Sequence, residues 1–389
     1  MTSRRTLLRA CAAAATAVAV VEAGPRTASA QPAPTLTLPA PTGRHRVGTT
    51  SLHLVDRTRT DPLAPTPSVR ELMVRLWYPA ASVRHPIAPY LPAAVATRYV
   101  EFLNANTGGN HPDDLLAFPT HSRQDAPAVA VRHPILLFSH GYGVSAALNT
   151  GVHEHLASHG YVVAGIDHTY DAGAVEFPDG RVVSQKPGLA IDEVLRAVRA
   201  ADTVFVLDGL IRLAAGHNPD AGGRRLPSGL HRALDPTRIG GYGHSLGGPT
   251  VVTAMQHDRR IDAGAALDGD LLDGDLTGSG LDRPFLMVGN QNLSQANAPE
   301  WATFYDRLHG PRLHLILHGA EHSDLTDLTA FKSTVDLSAV FTTGPIDGLR
   351  ALAIQRDYLA AWFDRALRGR DSQLLHAEPA RYPEVDFQP

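Results

Sequence analysis

A serine set among glycines is the residue best placed for chemistry: Gly243-His244-Ser245-Leu246-Gly247, with Gly248 behind it. The pattern carries meaning only where a strand precedes it and a helix follows. Both are expected here, a strand over Ile239 to Tyr242 and a helix over Ser245 to Gln256. The chemistry that fits is acyl transfer to a serine hydroxyl held out on a strained turn. Gly243 and Gly247 lack a Cβ, so the neighbouring backbones can crowd together at that turn. The amino end of the following helix adds partial positive charge beside a developing oxyanion. Gly278-Ser279-Gly280 is also a glycine-flanked serine, but no apolar strand leads into it, and it reads as a loop.

A serine nucleophile needs a base and an acid, and on such a scaffold they follow it in the order Asp or Glu, then His. Twenty histidines make the base the harder choice. Leu313 to Leu317 reads as the last catalytic strand and Gly319-Ala320-Glu321-His322 as the turn after it, which selects His322. His318, at the strand end itself, is the rival, and His314 within the strand is expected to pack against a neighbour. For the acid, Pro284 to Val288 forms a strand that ends in Gly289-Asn290-Gln291-Asn292, without a carboxylate. The preceding strand, Ala263 to Leu267, runs directly into Asp268, well placed to hold a histidine in the needed tautomer. Asp270 is the alternative and would point the other way if the strand continued. The run Asp268 to Asp275 resembles a calcium loop, but its third acid is one residue late and position twelve is Ser279 rather than Glu. It reads as one catalytic aspartate in a solvated acidic loop.

The tetrahedral intermediate needs two backbone N–H donors. Leu246, next to the nucleophile, supplies one. The loop after the Ile135–Phe138 strand, His140-Gly141-Tyr142-Gly143, supplies the other, assigned to Tyr142 with its ring left free to line an acyl pocket. His140 reads as a buried residue bracing that loop.

These residues need a frame that brings strand ends together. Strand-like runs at Leu72–Tyr78 (stopped by Pro79), Ile135–Phe138, Tyr161–Ile166, Ile239–Tyr242, Ala263–Leu267, Pro284–Val288 and Leu313–Leu317 alternate with helical stretches at 145–158, 191–215, 245–256 and 349–367. In the helix over 191–215, Val194, Leu195, Val198, Ala201 and Phe205 share a face. Alternation of this kind predicts an α/β fold, a mostly parallel sheet covered by helices on both faces, with the ligand beyond the carboxyl ends of the strands. The Gly243–Gly247 motif at a strand end makes it the α/β-hydrolase type. Residues 81–130 and 169–190 are polar, proline-bearing rim or lid segments. Within the first, a helix over Pro92 to Leu103 would align Val95, Tyr99, Phe102 and Leu103, either packed on the sheet or partly lining an entrance that meets lipid aggregates.

The ends are read separately. Residues 1–30 carry Arg4-Arg5, an apolar run from Ala10 to Val21 and Ala28-Ser29-Ala30, which predicts an export signal, with the paired arginines favouring the twin-arginine route. Residues 31–43 form a proline-rich linker, 44–370 the catalytic domain and 371–389 a tail. Cys11, the one cysteine, would leave with the signal, so an exported chain would have no disulfide. The same cut removes four arginines and one glutamate and moves the formal charge from −4 to −7. With no basic run, nucleic acid is not an expected partner. Lysine is confined to Lys186 and Lys332 against many arginines, a bias of GC-rich bacterial genomes.

The chain resembles the platelet-activating-factor acetylhydrolase family, the plasma and type II intracellular lipases, from about Val47 to Leu367. The likeness rests on Phe138-Ser139-His140-Gly141-x-Gly143, Leu156-Ala157-Ser158-His159-Gly160-Tyr161, Gly243-His244-Ser245-x-Gly247-Gly248, Ala266-Leu267-Asp268 and Gly319-x-x-His322. It implies a triad of Ser245, Asp268 and His322, with oxyanion donors at Tyr142 and Leu246. It further implies a calcium-independent enzyme, needing neither cofactor nor metal, that removes short acyl groups from phospholipids or other esters. Tyr142, where mammalian members carry leucine, and the distinct 81–130 segment are departures that bear on the substrate. A polyester or cutin hydrolase shares Gly-His-Ser-x-Gly-Gly, but the lack of cysteines and the early acid stand against it. A hydrolase-fold binding module without catalysis is the alternative of a different class, and the complete set of site residues stands against that one.

Overall fold

The computed structural model describes residues 36–271, 280–294, 297–376 and 380–388. The expected export signal, the start of the linker and most of the acidic run after Asp270 lie outside them.

Among the described residues thirteen strands form in chain order: β1 Arg46–Thr60, β2 Val69–Ala80, β3 Ile87–Pro89, β4 Pro119–Gln124, β5 His133–Ser139, β6 Val162–Asp167, β7 Ala174–Glu176, β8 Val182–Ser184, β9 Leu234–His244, β10 Ala263–Leu267, β11 Phe285–Asn290, β12 Arg312–Leu317 and β13 Val385–Gln388. Eleven join one sheet in the order β13-β12-β11-β10-β9-β5-β6-β2-β1-β4-β3, and β7 and β8 pair as a separate hairpin. From β6 to β12 every neighbour is parallel, with antiparallel strands added at both flanks. This is the predicted α/β architecture. The longer helices are α1 Ala93–Thr107, α2 Thr150–Ser158, α3 Glu193–Ala214, α4 Gly247–His257, α5 Pro299–Asp306 and α6 Gly348–Arg368.

The parallel strands are apolar on both sides because both sides are covered. Leu136, Phe138, Val163 and Tyr242 pack with residues of α1, α2 and α6. Ile135, Leu137, Val162 and Ile239 pack with α3, α4 and α5. Side chains alternate across the pleat, so neighbouring residues of one strand serve two cores. Burial of each large apolar side chain contributes about 1.5–3 kcal/mol.

Four expectations need correction. Pro79 does not stop β2, which runs on to Ala80. Pairing with β6 ends at Trp77, so the missing N–H of Pro79 breaks no ladder on that side, while its carbonyl accepts from Val129. The buried face of α3 is turned from the expected one: Val194 is 56% exposed, and Arg199, Asp202 and Thr203 are buried beside Leu195, Val198 and Val206. Charged residues on the inward face hid it from a hydrophobic pattern. The linker is packed where it is described, with Leu36 and Leu38 buried and the Pro39 carbonyl bound by Arg356. The tail returns to the sheet as β13, paired antiparallel with β12. In α1, Val95, Ala96, Val100 and Leu103 are buried in the core, and Tyr99 and Phe102 are half-buried.

Candidate active site

Ser245 lies where β9 hands over to α4, in the left-handed region at φ 55°. That conformation is costly for a residue with a side chain, and close packing holds it. A Cβ on Gly243 would fall 2.2 Å from the Gly247 backbone, and one on Gly247 only 1.9 Å from the Ser139 carbonyl oxygen. Only glycine fits at either position. Leu246 is the N-cap of α4 and is buried, so its N–H is among the first four amides for which a helix has no internal acceptor.

Asp268 follows β10 directly, also at a positive φ of 50°, with its N–H bonded to the Val288 carbonyl. Its side chain is buried and accepts from His322 Nδ1 at 2.6 Å. His322 opens a short turn after β12, and its side chain is 36% exposed. With Nδ1 turned to the carboxylate, Nε2 is the nitrogen left to act as a base. Burial alone would raise the Asp268 carboxyl, but the His322 bond and charge, with the Asn290 amide, hold it below its ordinary value. For His322, burial works against the charged form, and the Asp268 hydrogen bond and charge overcome it, with Glu321 and Asp270 adding, so its value is raised.

Two residues around this pair were not predicted. Asn290, at the strand end that lacks a carboxylate, donates its backbone N–H to Asp268 Oδ1 at 2.8 Å and its side-chain amide to Oδ2 at 3.1 Å. The parallel register of β10 and β11 was the available signal. His244 donates Nε2–H to the His322 carbonyl at 2.9 Å and lies against its ring, centroids 4.7 Å apart. Burial, then the nearness of His322, lowers His244 to about 3, so it stays neutral beside His322.

The rivals are elsewhere. His318 is half-exposed and pairs with Asp386 of β13, His314 is buried against Trp301 and Tyr305, and Asp270 is exposed. The Tyr142 ring is not free. Its hydroxyl donates to the Leu189 carbonyl at 2.6 Å, and it packs beside Leu63, Leu195, Val198 and Leu246. The loop it belongs to touches the Ser245 turn, since a Cβ on Gly141 would sit 3.2 Å from Ser245 Cβ.

A second Ser–His–Asp array lies under that loop. Ser139 Oγ is 2.9 Å from His168 Nε2, and His168 Nδ1 is 2.9 Å from Asp202 Oδ2. All three are buried, and Asp202 is also held by Arg70 and Arg59.

Known proteins share this frame. A ferulic acid esterase from Streptomyces cinnamoneus superposes with a TM-score of 0.76 and 35% identity, over 91% of this chain and 99% of that one. A probable 1-alkyl-2-acetylglycerophosphocholine esterase of Arthroderma benhamiae is 29% identical over 90% of this chain and 93% of its own. A platelet-activating factor acetylhydrolase of Cavia porcellus is 25% identical over 71% of this chain and 65% of its own. The chain is a carboxylic ester hydrolase. Residues 31–179 and 226–372 match the family described as platelet-activating factor acetylhydrolase, isoform II, and the chain belongs to that family.

Proposed function

We propose that this esterase is exported and cleaves short-acyl esters through an acyl-enzyme on Ser245. The observation that carries the mechanism is the His322–Asp268 contact at 2.6 Å, beside a serine held at a positive φ. His322 takes the Ser245 proton as the hydroxyl attacks the ester carbonyl, and then gives it to the leaving alcohol. Water enters by the reverse route, activated by the same imidazole. Asp268, oriented by Asn290, keeps the proton of the neutral ring on Nδ1 and stabilises the imidazolium that forms. Leu246 and Tyr142 donate their backbone N–H groups to the oxyanion. Export rests on the arginine pair, apolar run and small-residue site of residues 1–30.

The acyl side is read as short because Tyr142 is docked onto Leu189 beside the loop that touches Ser245. The A. benhamiae relative supports an acetylated ether phospholipid as substrate. The S. cinnamoneus neighbour, matched over 99% of its length, supports a second reading, an aromatic acyl group set against the Tyr142 wall. Activity on p-nitrophenyl acetate, lost in Ser245→Ala, tests the mechanism and separates an enzyme from a binding module. A series from acetyl to decanoyl p-nitrophenyl esters, with methyl ferulate alongside, tests the substrate. The short-acyl reading expects kcat/KM to fall with chain length, and a preference for long acyl chains rejects it. Ferulate turnover above acetyl turnover selects the second reading.

A further inference from the structure

We propose that Arg199 is a positioning residue that aims the Tyr142 N–H at the oxyanion. This rests on the reading of Ser245 as nucleophile and Tyr142 as donor given above. Arg199 lies between the two stretches that match the family, on the inward face of α3, and its side chain is wholly enclosed.

The two terminal nitrogens of its guanidinium go to Ser139–Gly141, the end of β5 and the loop after it. Nη1 donates to the His140 carbonyl at 2.6 Å and to the Ser139 hydroxyl at 3.3 Å, and Nη2 donates to the Gly141 carbonyl at 3.2 Å. Nε pairs with the buried Asp171 carboxylate. The Gly141 carbonyl also accepts from His140 Nδ1 at 2.5 Å. That bond fixes the His140 tautomer, because Nε2 accepts from the His168 N–H at 3.2 Å and Nδ1 must carry the proton. The His140 ring stays neutral, lowered by burial and by the Arg199 and His168 charges.

A peptide group is planar and trans, so its C=O and N–H point to opposite sides. Holding the Gly141 carbonyl toward Arg199 turns the Tyr142 N–H away from Arg199. Holding the His140 carbonyl does the same for the Gly141 N–H. The same loop meets the Ser245 turn, where a Cβ placed on Gly141 would sit 3.2 Å from Ser245 Cβ. Arginine suits the task, because its rigid fork reaches two carbonyls at once and an ammonium is a point charge. A carbonyl bonded to a cation is also polarised, which makes the N–H of the same peptide a better donor. Asp171 balances the charge, since a lone buried guanidinium would be strongly unfavourable.

The test uses Arg199→Gln and Arg199→Lys in the full chain. It reads steady-state kinetics on p-nitrophenyl acetate, thermal unfolding, and inhibition by an alkyl trifluoromethyl ketone, whose serine adduct carries an oxyanion. Arg199→Gln is expected to lower kcat about 10- to 100-fold, less than the roughly 10²- to 10³-fold cost of losing one oxyanion donor outright because the Tyr142 N–H remains, with KM within about twofold. The ketone's inhibition constant should rise by the same factor, and Arg199→Lys should recover part of both. A folded Arg199→Gln enzyme that binds the ketone as tightly as the parent, or that changes KM alone, overturns the proposal. If Arg199→Gln does not fold, Asp171→Asn loosens the guanidinium while keeping it. It should show smaller parallel losses in kcat and ketone affinity, and unchanged ketone affinity there overturns the proposal equally. Activity or covalent ketone binding retained in Ser245→Ala would instead remove the underlying reading, whatever Arg199 does.

Discussion

Ser139, His168 and Asp202 are hydrogen-bonded in the same order as a hydrolytic triad, yet they lie inside the protein, whereas Asp268 and His322 stand at the strand ends next to Ser245. The contrast lies in what surrounds each carboxylate. Asp202 is already balanced by Arg70 and Arg59, and burial together with the Arg199 charge leaves His168 lowered. Among the described residues, Asp268 is hydrogen-bonded by Asn290 and His322 and has no arginine beside it, so its charge acts on the imidazole, and His322 is raised. One array is a structural strut joining α3 to two strands, and the other has the balance that general-base work needs. Residue types and distances alone do not separate them. Exposure, the strained backbone at Ser245 and Asp268, and the count of opposing charges do.

The comparison breaks first at the serines. Ser245→Ala should lower kcat by about 10⁴- to 10⁶-fold, with His322→Ala nearly as severe and the double mutant little worse. Ser139→Ala should keep activity within about tenfold and lose about 1–3 kcal/mol of stability, because His168 loses a buried partner. Assay on p-nitrophenyl acetate with parallel urea unfolding decides it, and additive losses in the double mutant would sink the shared mechanism.

The aspartates sharpen it. Asp268→Asn is expected to cost about 10⁴-fold in kcat, the scale for an orienting aspartate, while Asp270→Asn stays within a few-fold. Equal and mild effects from both would mean that another carboxylate serves His322. Asp202→Ala should act through the fold, losing about 3–5 kcal/mol by leaving Arg70 buried with less opposing charge. A stability unchanged in urea would refute the strut.

The smallest effects are in pH. With His322 as the proposed base, activity needs its neutral form, and because its value is raised the acidic limb of kcat/KM should lie above the ordinary 6.5 and move down in Asp268→Asn. A group raised in the folded state adds stability that is full below 6.5 and is lost as pH rises through the raised value. His168 has the opposite sign: its contribution is present above 6.5 and lost as pH falls through its lowered value. Stability curves of His322→Ala and His168→Ala, each subtracted from the parent, should therefore slope oppositely with pH, and slopes of one sign would undo the contrast.

Much of this was legible in the sequence because the strands of a doubly covered sheet are short apolar runs that stop at polar residues. Ala263–Leu267 was bounded correctly, and the residues after β9, β10 and β12 were placed by the same punctuation. What escaped was charge turned inward. Arg199 and Asp202 sit on the buried side of α3, where a search for apolar spacing steps over them. Ser139-His140 and Asp167-His168 were both visible as strand endings, and β5 and β6 are parallel neighbours, so their meeting could have been inferred. Asn290 was noticed only for the acid it is not. β13 is four residues long and paired by register rather than by pattern strength, which a local reading does not weigh.

That last strand sits on the outer edge of β12, the strand that leads into His322. A bare strand edge is a row of unpaired amides and carbonyls, ready to accept another chain. By occupying it, residues Val385–Gln388 become the outer edge themselves, and four residues offer a neighbouring chain a shorter template than β12 would. The His318–Asp386 contact ties that strand to the start of the loop that carries His322. A cut before Val385 would therefore do more than shorten the chain. It would leave the longer β12 edge open beside the loop that carries His322, and self-association and slackness at His322 would arrive together.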